Sequence, residues 1–491
     1  MPQPPTWLEL PRAVPSLWRA GLLVLLVISV LSICIDWLLC AERTWAQQPV
    51  VPSGVSESQV NALGGSGFRY LSQYANPALR GALYLTPDWP LTGYYPLYPG
   101  GLTQVSPTDG VLVGPLRLHP VMGVAEMYTD NVFRTNSNRV STFLTTLDPG
   151  IQAQLPFAGS HTFLIDYRTN IQYYNRTPSN NVQDQTASGK FKFDFPGGLK
   201  VDLQAEHKLG HDPRGTAVDT QMLDVNKWTA NSVIGQVEYD GARSAVRLNA
   251  QSTRWTFLNN NQGIIRDSLN NYGGLTFIRD LTGITSVLTG ISAFQQIYDE
   301  NKNLDNVRYQ INAGATWRPS ELISGEVVAG YQYVKYTYAA VNQPPPVLSQ
   351  FNRVNDSFDN FFFMGNLNWQ ATSLMNVTLQ AYRTVQQTVS VSGSLFPTVT
   401  GVNLAATHSL TDSTTATFNL GFEQDQFQNS SGSTNVSDRT DFLKNVAVGL
   451  RYRAIKWVGL GFQYIYENRS SNQNQFEYFA NTFMVSAQTA F

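Results

Sequence analysis

From about Leu116 to Phe491 the chain repeats one pattern: segments of roughly ten to fourteen residues in which apolar and polar side chains alternate. In Leu199 to Glu206, Leu199, Val201, Leu203 and Ala205 oppose Lys200, Asp202, Gln204 and Glu206. In the next clear case Val307, Tyr309, Ile311, Ala313, Ala315 and Trp317 oppose Arg308, Gln310, Asn312, Thr316 and Arg318; later Val458, Leu460, Phe462, Tyr464 and Tyr466 alternate with Gly459, Gly461, Gln463 and Glu467. A strand points successive side chains to opposite faces, so each segment has one oily face and one wet face. A soluble sandwich also alternates. Its strands average about five or six residues, whereas tilted strands that cross a bilayer need about 9–11.

The connections alternate too. Short ones include Pro196 to Gly198, Leu281 to Ile284, Pro319 to Leu322, Thr372 to Leu374, Thr411 to Ser413 and Ala454 to Lys456. Long ones include Thr129 to Arg139, Gly210 to Val225, Thr337 to Phe358 and Gln428 to Arg439. Short-long alternation puts tight turns at one rim of a closed sheet and loops at the other. Aromatics gather at segment ends as two girdles: Trp317, Trp369 and Trp457 beside short turns, Tyr173, Tyr298, Tyr333 and Tyr466 near long loops. The pattern predicts an all-β, transmembrane antiparallel β-barrel of about 18 strands (16–18), with about eight tight turns and nine loops. Ser268 to Ile278 and Leu395 to Leu410 alternate poorly and are the uncertain strands in that count. Both barrel ends then fall on the tight-turn rim, expected to be periplasmic. The first strand, near Leu116 to Tyr128, must pair with the last, near Phe476 to Phe491, because hydrocarbon offers an open edge no hydrogen-bond partner.

A single long apolar run, Gly21 to Cys40, follows Arg12 and Arg19 and precedes Thr44-Trp45-Ala46. That order reads as a secretory signal over 1–46, cut between Ala46 and Gln47. Residues 47–114 are rich in Pro, Gly, Ser and Tyr and read as a mostly irregular periplasmic segment; 115–491 are the barrel. Both cysteines, Cys34 and Cys40, lie in the signal, leaving no disulfide or thiolate site. A net charge of −2 gives no electrostatic case for nucleic-acid binding.

The last residues alternate and end on an aromatic: Phe479, Phe483, Val485 and Phe491 on one face, Thr482, Ser486 and Gln488 on the other. Phe483, Val485 and Phe491 look like the C-terminal signal that the barrel-insertion machinery reads in bacterial outer-membrane barrels. Gly110-Val111-Leu112-Val113-Gly114-Pro115-Leu116-Arg117-Leu118-His119-Pro120 leads into a strand ending Tyr128-Thr129-Asp130-Asn131-Val132-Phe133-Arg134. This resembles the start of the putative β-barrel porin 2 family, outer-membrane proteins associated with exopolysaccharide loci. Pro115 departs from the aromatic usual after the glycine. The resemblance implies an outer-membrane channel or scaffold in a Gram-negative bacterium. Asp130 and Asn131 read as the capping residues of the first loop.

The wet face supplies the candidate lumen-lining residues: Asp166, Arg168, Lys190, Lys192, Asp194, Lys200, Asp202, Glu206, Glu238, Arg247, Arg308, Arg318, Glu326, Glu423, Arg451, Arg453 and Glu467. Their signs nearly balance, which predicts pairing across strands and weak ion selectivity. Pro344-Pro345-Pro346 stiffens the Thr337 to Phe358 loop, which either constricts the pore or stands outward. Of His119, His161, His207, His211 and His408, only His207 with His211 approaches metal-site spacing, across a strand end. His408 and Ser409 face opposite ways on a strand and make no dyad. No nucleotide or nucleophile motif occurs, so no enzyme, cofactor or metal is expected. The expected function is passive diffusion or export of small polar solutes or polysaccharide. The alternative is a non-conducting scaffold that docks partners through residues 47–114. Oligomeric state is open; lipid is the obligatory partner.

Overall fold

The computed structural model describes residues 110–215, 224–339, 342, 344, 355–385, 398–427 and 438–490. The signal 1–46 with its Ala46–Gln47 cut, the segment up to 109, most of the proline loop and Phe491 lie outside the described residues.

A three-residue strand, β1 (Val111–Val113), precedes eighteen longer ones. The first six are β2 (Leu116–Thr129), β3 (Thr142–Phe157), β4 (His161–Tyr174), β5 (Val182–Asp194), β6 (Leu199–His211) and β7 (Lys227–Asp240). The next six are β8 (Ser244–Phe257), β9 (Ser268–Thr282), β10 (Thr285–Tyr298), β11 (Asn306–Trp317), β12 (Ile323–Tyr336) and β13 (Ser357–Thr372). The last six are β14 (Met375–Val385), β15 (Thr398–Ser409), β16 (Thr414–Phe427), β17 (Arg439–Ile455), β18 (Val458–Ser471) and β19 (Tyr478–Ala490). Each pairs antiparallel with its neighbours in sequence. β19 returns to β2 in register from Thr482 opposite Thr129 to Ala490 opposite Val121. The sheet is therefore a closed cylinder, and every spanning strand has two partners, as hydrocarbon demands.

Tight turns join β3–β4, β5–β6 and so on to β17–β18; longer loops join the others, so eight turns sit at one rim and nine loops at the other. The two poorly alternating segments form β9 and β15. On β9 the inward places hold Ser268, Asn270 and Tyr272 while Asn271 sits on the outward side, so polarity there does not report the face. The outer surface is apolar: Phe143, Leu248, Phe277, Ile311, Phe462 and Val485 are all exposed. Trp369, Tyr173 and Tyr333 stand exposed among them toward the ends of their strands, and Trp457 stands exposed in the turn between β17 and β18. Tyr298 does not join that girdle; it points inward and packs with Leu304, Val334 and Tyr336. Its even position on β10, in step with Leu288 and Phe294, turns it to the interior.

The resemblance motifs occupy the two ends of β2. At the tight-turn end β1 folds back on it as a hairpin, Val111 opposite Leu118, through Gly114 and Pro115. Gly114 has φ +63, and Gly110, with φ +115, sits against buried His119, where a Cβ would come within 2.7 Å of the ring. This strand lies in the segment expected to be mostly irregular.

At the loop end the Asp130-Asn131 pair does more than cap its own turn. Asp130 accepts from the backbone N–H of Asn481 at 2.8 Å and from its Nδ2 at 2.7 Å. Asn131 Nδ2 donates to Thr135 O at 2.8 Å and to Phe479 O at 2.9 Å. Arg134 reaches one strand further, to Glu467 at 2.6 Å. The first loop thus clamps the last two strands at the seam. Asn131→Ala would leave the carbonyls of Phe479 and Thr135 without that donor, at about 1–3 kcal/mol. The expected outcome is a folded barrel that loses its heat-resistant gel migration at a lower temperature; an unchanged transition would refute the clamp.

Candidate functional site

The inward face carries most of the site. Asp166 and Arg168 pair on β4 at 3.2 Å, and Lys190 on β5 meets Asp202 on β6 at 2.8 Å. Lys200 lies 3.5 Å from Asp240, Glu206 lies 3.2 Å from Lys208, and Arg247 bonds Glu238 directly opposite it on β7. Arg308 is buried; it donates to Gln296 at 3.1 Å and covers the Phe294 ring. Glu326 and Arg451 alternate onto the same face. Lys192 and Asp194 stand exposed toward the tight-turn rim. Arg453 bends over that rim to Asp412 O at 2.6 Å. Arg318 differs from expectation: it follows the end of β11, exposed, because the strand stops at Trp317 and the turn has begun. Phe483 and Val485 are on the outward face.

The charges are unevenly distributed around the wall. They concentrate on β3–β8 and β16–β18. From β9 to β15 the inward strand positions carry only Asp280, Arg308 and Glu326; amides dominate there. Room is also uneven. At the loop end inward side chains such as Trp255, Asp441 and Tyr478 are almost fully buried, whereas Lys192, Asp194 and Lys200 near the turns are exposed. Side chains lie flat where the wall lets them. Tyr382 on β14 crosses Gly401 on β15 to donate to Glu423 on β16, and any Cβ on Gly401 would collide with the phenol.

The loop-end mouth is held by a segment the sequence did not single out. Asp212 to Gly215, following β6, turns inward. Asp212 is clamped by Arg266, the last residue of the short helix α1 (Gln262–Arg266), and accepts from Asn226 Nδ2 at 3.0 Å. Arg214 donates to Asn180 at 2.8 Å and covers Phe133 at 5.3 Å. Gly215 O accepts from Arg469 on β18. β6 and β18 are separated around the wall by β19 and β2 to β5, so this contact crosses the interior.

Arg469 belongs to a compact charge cluster. Asp425 and Asp441 face each other directly on β16 and β17, an arrangement that repels unless cations intervene. Arg439 lies 3.2 Å from Asp441 and Arg469 lies 3.7 Å from it. Arg439 also packs its guanidinium over Phe427 and Phe476, at 3.7 and 3.9 Å. Outside the spanning strands, burial raises the pKa of Asp305, which accepts from Tyr298 N at 2.7 Å, while a hydrogen bond from Arg254 lowers that of Asp299. His207 binds Asn231 and His211 binds Asp184; they do not converge, and no metal-binding cluster occurs among the described residues.

These features define a bacterial outer-membrane β-barrel with a paired-charge interior and one narrowed mouth. The chain belongs to the putative beta-barrel porin 2 family, whose model matches residues 106–491. No curated protein matches in sequence. Two solved structures are similar to the chain at low identity. Pseudomonas aeruginosa OccK2 (OpdF) is 10% identical, with TM-score 0.46 over 76% of this chain and 98% of its own. Acinetobacter baumannii OccAB3 is 9% identical, with TM-score 0.45 over 77% of this chain and 99% of its own.

Removing one partner of a buried ion pair leaves an uncompensated charge and costs about 3–5 kcal/mol. Arg266→Ala should therefore destabilise the loop end strongly, and Asp212→Asn combined with Arg266→Ala should recover part of the loss. Limited proteolysis of reconstituted barrels reads this out. Cleavage near residues 212–226 should rise in the single variant and fall back in the double. Equal protection in all three would contradict the clamp.

Proposed function

We propose that the protein is a channel carrying polar solutes, or a polysaccharide in export, across the outer membrane with weak charge selectivity. The long loops face the outside; both barrel ends and residues 47–114 are periplasmic after removal of a signal peptide at Ala46. The observation that carries the reading is the inward face itself. It is largely polar, and many of its charges pair across or along neighbouring strands, so it offers water a path without favouring either sign. The candidate lumen residues from Asp166 to Glu467 line that path, Arg318 excepted.

In this reading the Asp212 to Gly215 segment is the constriction. The same segment favours a second reading, a barrel kept shut that serves as a scaffold with residues 47–114 as its docking arm. Planar-bilayer recording separates the two. A channel gives unitary current steps with cation and anion permeabilities within about threefold, and Arg469→Ala, which frees Gly215, gives larger steps. Silence from both wild type and Arg469→Ala would overturn the channel and leave the scaffold.

A further inference from the structure

One row of inward side chains gathers four unpaired amides at a single level of the wall. At one level of the ladder Asn366 on β13 faces Gln380 on β14, and Gln380 faces Asn403 on β15. Asn403 faces Gly421 on β16, and Gly421 faces Asn445 on β17. Four amides thus stand on nearly successive strands, with a glycine where the row needs depth: a Cβ on Gly421 would collide with the Asn445 carboxamide. The row ends in carboxylates, Glu326 opposite Asn366 and Glu467 opposite Asn445.

The four side-chain amide oxygens of this row accept no hydrogen bond from the protein. Two of the amides, Gln380 and Asn403, are more than nine-tenths buried. Proximity does not explain this. Three inward positions away along the strands, Ser292 donates to Gln310 at 3.2 Å, and Gln310 donates to Gln332 at 2.7 Å. Those side chains bond one another from strand to strand; the amide oxygens of the Asn366–Asn445 row accept no such bond. Buried polar groups are nearly always paired, so unpaired ones ask for a partner. A shallow recess lined in part by Gly421, Glu423, Asn445 and Glu467 adjoins the row.

We infer that Asn366, Gln380, Asn403 and Asn445 form a binding track for an extended, neutral, polyhydroxylated chain, a linear glycan without acidic groups. The inference rests on the channel reading for how the ligand arrives and deepens it by naming what the wall recognises. A carboxamide offers both a donor and an acceptor, the complement of a hydroxyl, which is also both. Strands lie about 4.7–4.9 Å apart, comparable to the length of one sugar ring, so successive amides meet successive rings. The row carries no cation, and the carboxylates at its two ends disfavour an anionic chain. The torsion that turns a terminal amide is soft, which lets the buried pair swing toward a ligand.

The test uses the full-length barrel in planar bilayers, with maltohexaose as probe and a hexagalacturonate and size-matched polyethylene glycol as comparators. Saturable current block is expected from maltohexaose and not from the others. Asn366→Leu and Asn445→Leu should each raise the half-blocking concentration at least threefold, while Asn270→Leu, an amide off the row, leaves it unchanged. Heat-resistant gel migration verifies that each variant is folded, and Asn445→Ser serves if the leucine does not fold. Saturation-transfer NMR of maltohexaose with the detergent-solubilised protein reads binding independently of current. Conducting barrels with no saturable block and no transfer overturn the track, as does stronger block by hexagalacturonate. A silent barrel that still shows transfer lost in Asn366→Leu keeps the track and overturns the channel. A silent barrel without transfer overturns both.

Discussion

Backbone hydrogen bonding in hydrocarbon governs the whole molecule. A strand that crosses lipid cannot leave N–H or C=O groups bare, so the sheet must close, and closure fixes almost everything else. With the seam antiparallel like every other pairing, it sets an even number of spanning strands, makes the first strand meet the last, and divides each strand into a lipid side and an interior side. The seam between β2 and β19 is the one pairing made by chain ends. Side chains reinforce it: Asp130 and Asn131 bind the backbone of β19, and Arg134 binds Glu467 on β18.

Inside, electrostatics replaces hydrophobicity as the organising term. Charges taken from water must be matched, and the wall matches them between neighbouring strands, as in Lys190 with Asp202 and Glu238 with Arg247. At the loop end the same rule works over longer spans. Asp212 meets Arg266 and Gly215 meets Arg469, so the interior is narrowed by contacts between parts of the chain far apart in sequence. The amide-rich β9–β15 wall has a different logic. Some of its amides bond one another, as Gln310 does Gln332, and the unpaired ones include Asn366, Gln380 and Asn403, which share one level with Asn445 on β17.

Much of this was legible in the sequence because side-chain alternation and connection length are local signals. Leu199 to Glu206 announces both its strand and its wet face, and the count of eight tight turns and nine loops follows from the alternation of short and long connections. The segments that read poorly, such as β9, hide polar residues on the outer face and aromatics on the inner one, where loop-end packing rather than lipid decides. Tyr298 misled for the same reason: a tyrosine near a long loop suits a girdle, yet its register turns it inward. The mouth was illegible because its partners are non-local. Nothing around Asp212 to Gly215 distinguishes it from an ordinary loop, and its meeting with Arg266 and Arg469 exists only once the cylinder has closed. Asp130 and Asn131 were visible as turn formers, but their grip on Asn481 and Phe479, some 350 residues away, was not.

Cross-linking of the seam tests the closed cylinder most directly. Cysteines at Ala125 and Ser486, which face each other across β2 and β19, and at the next pair, Glu126 and Val485, are introduced into the chain and oxidised in native membranes. The closed barrel predicts a disulfide in at least one of these pairs and in none of the pairs shifted by three residues along β19. Bonding only in the shifted pairs, or in none while β2–β3 control pairs cross-link, would contradict it.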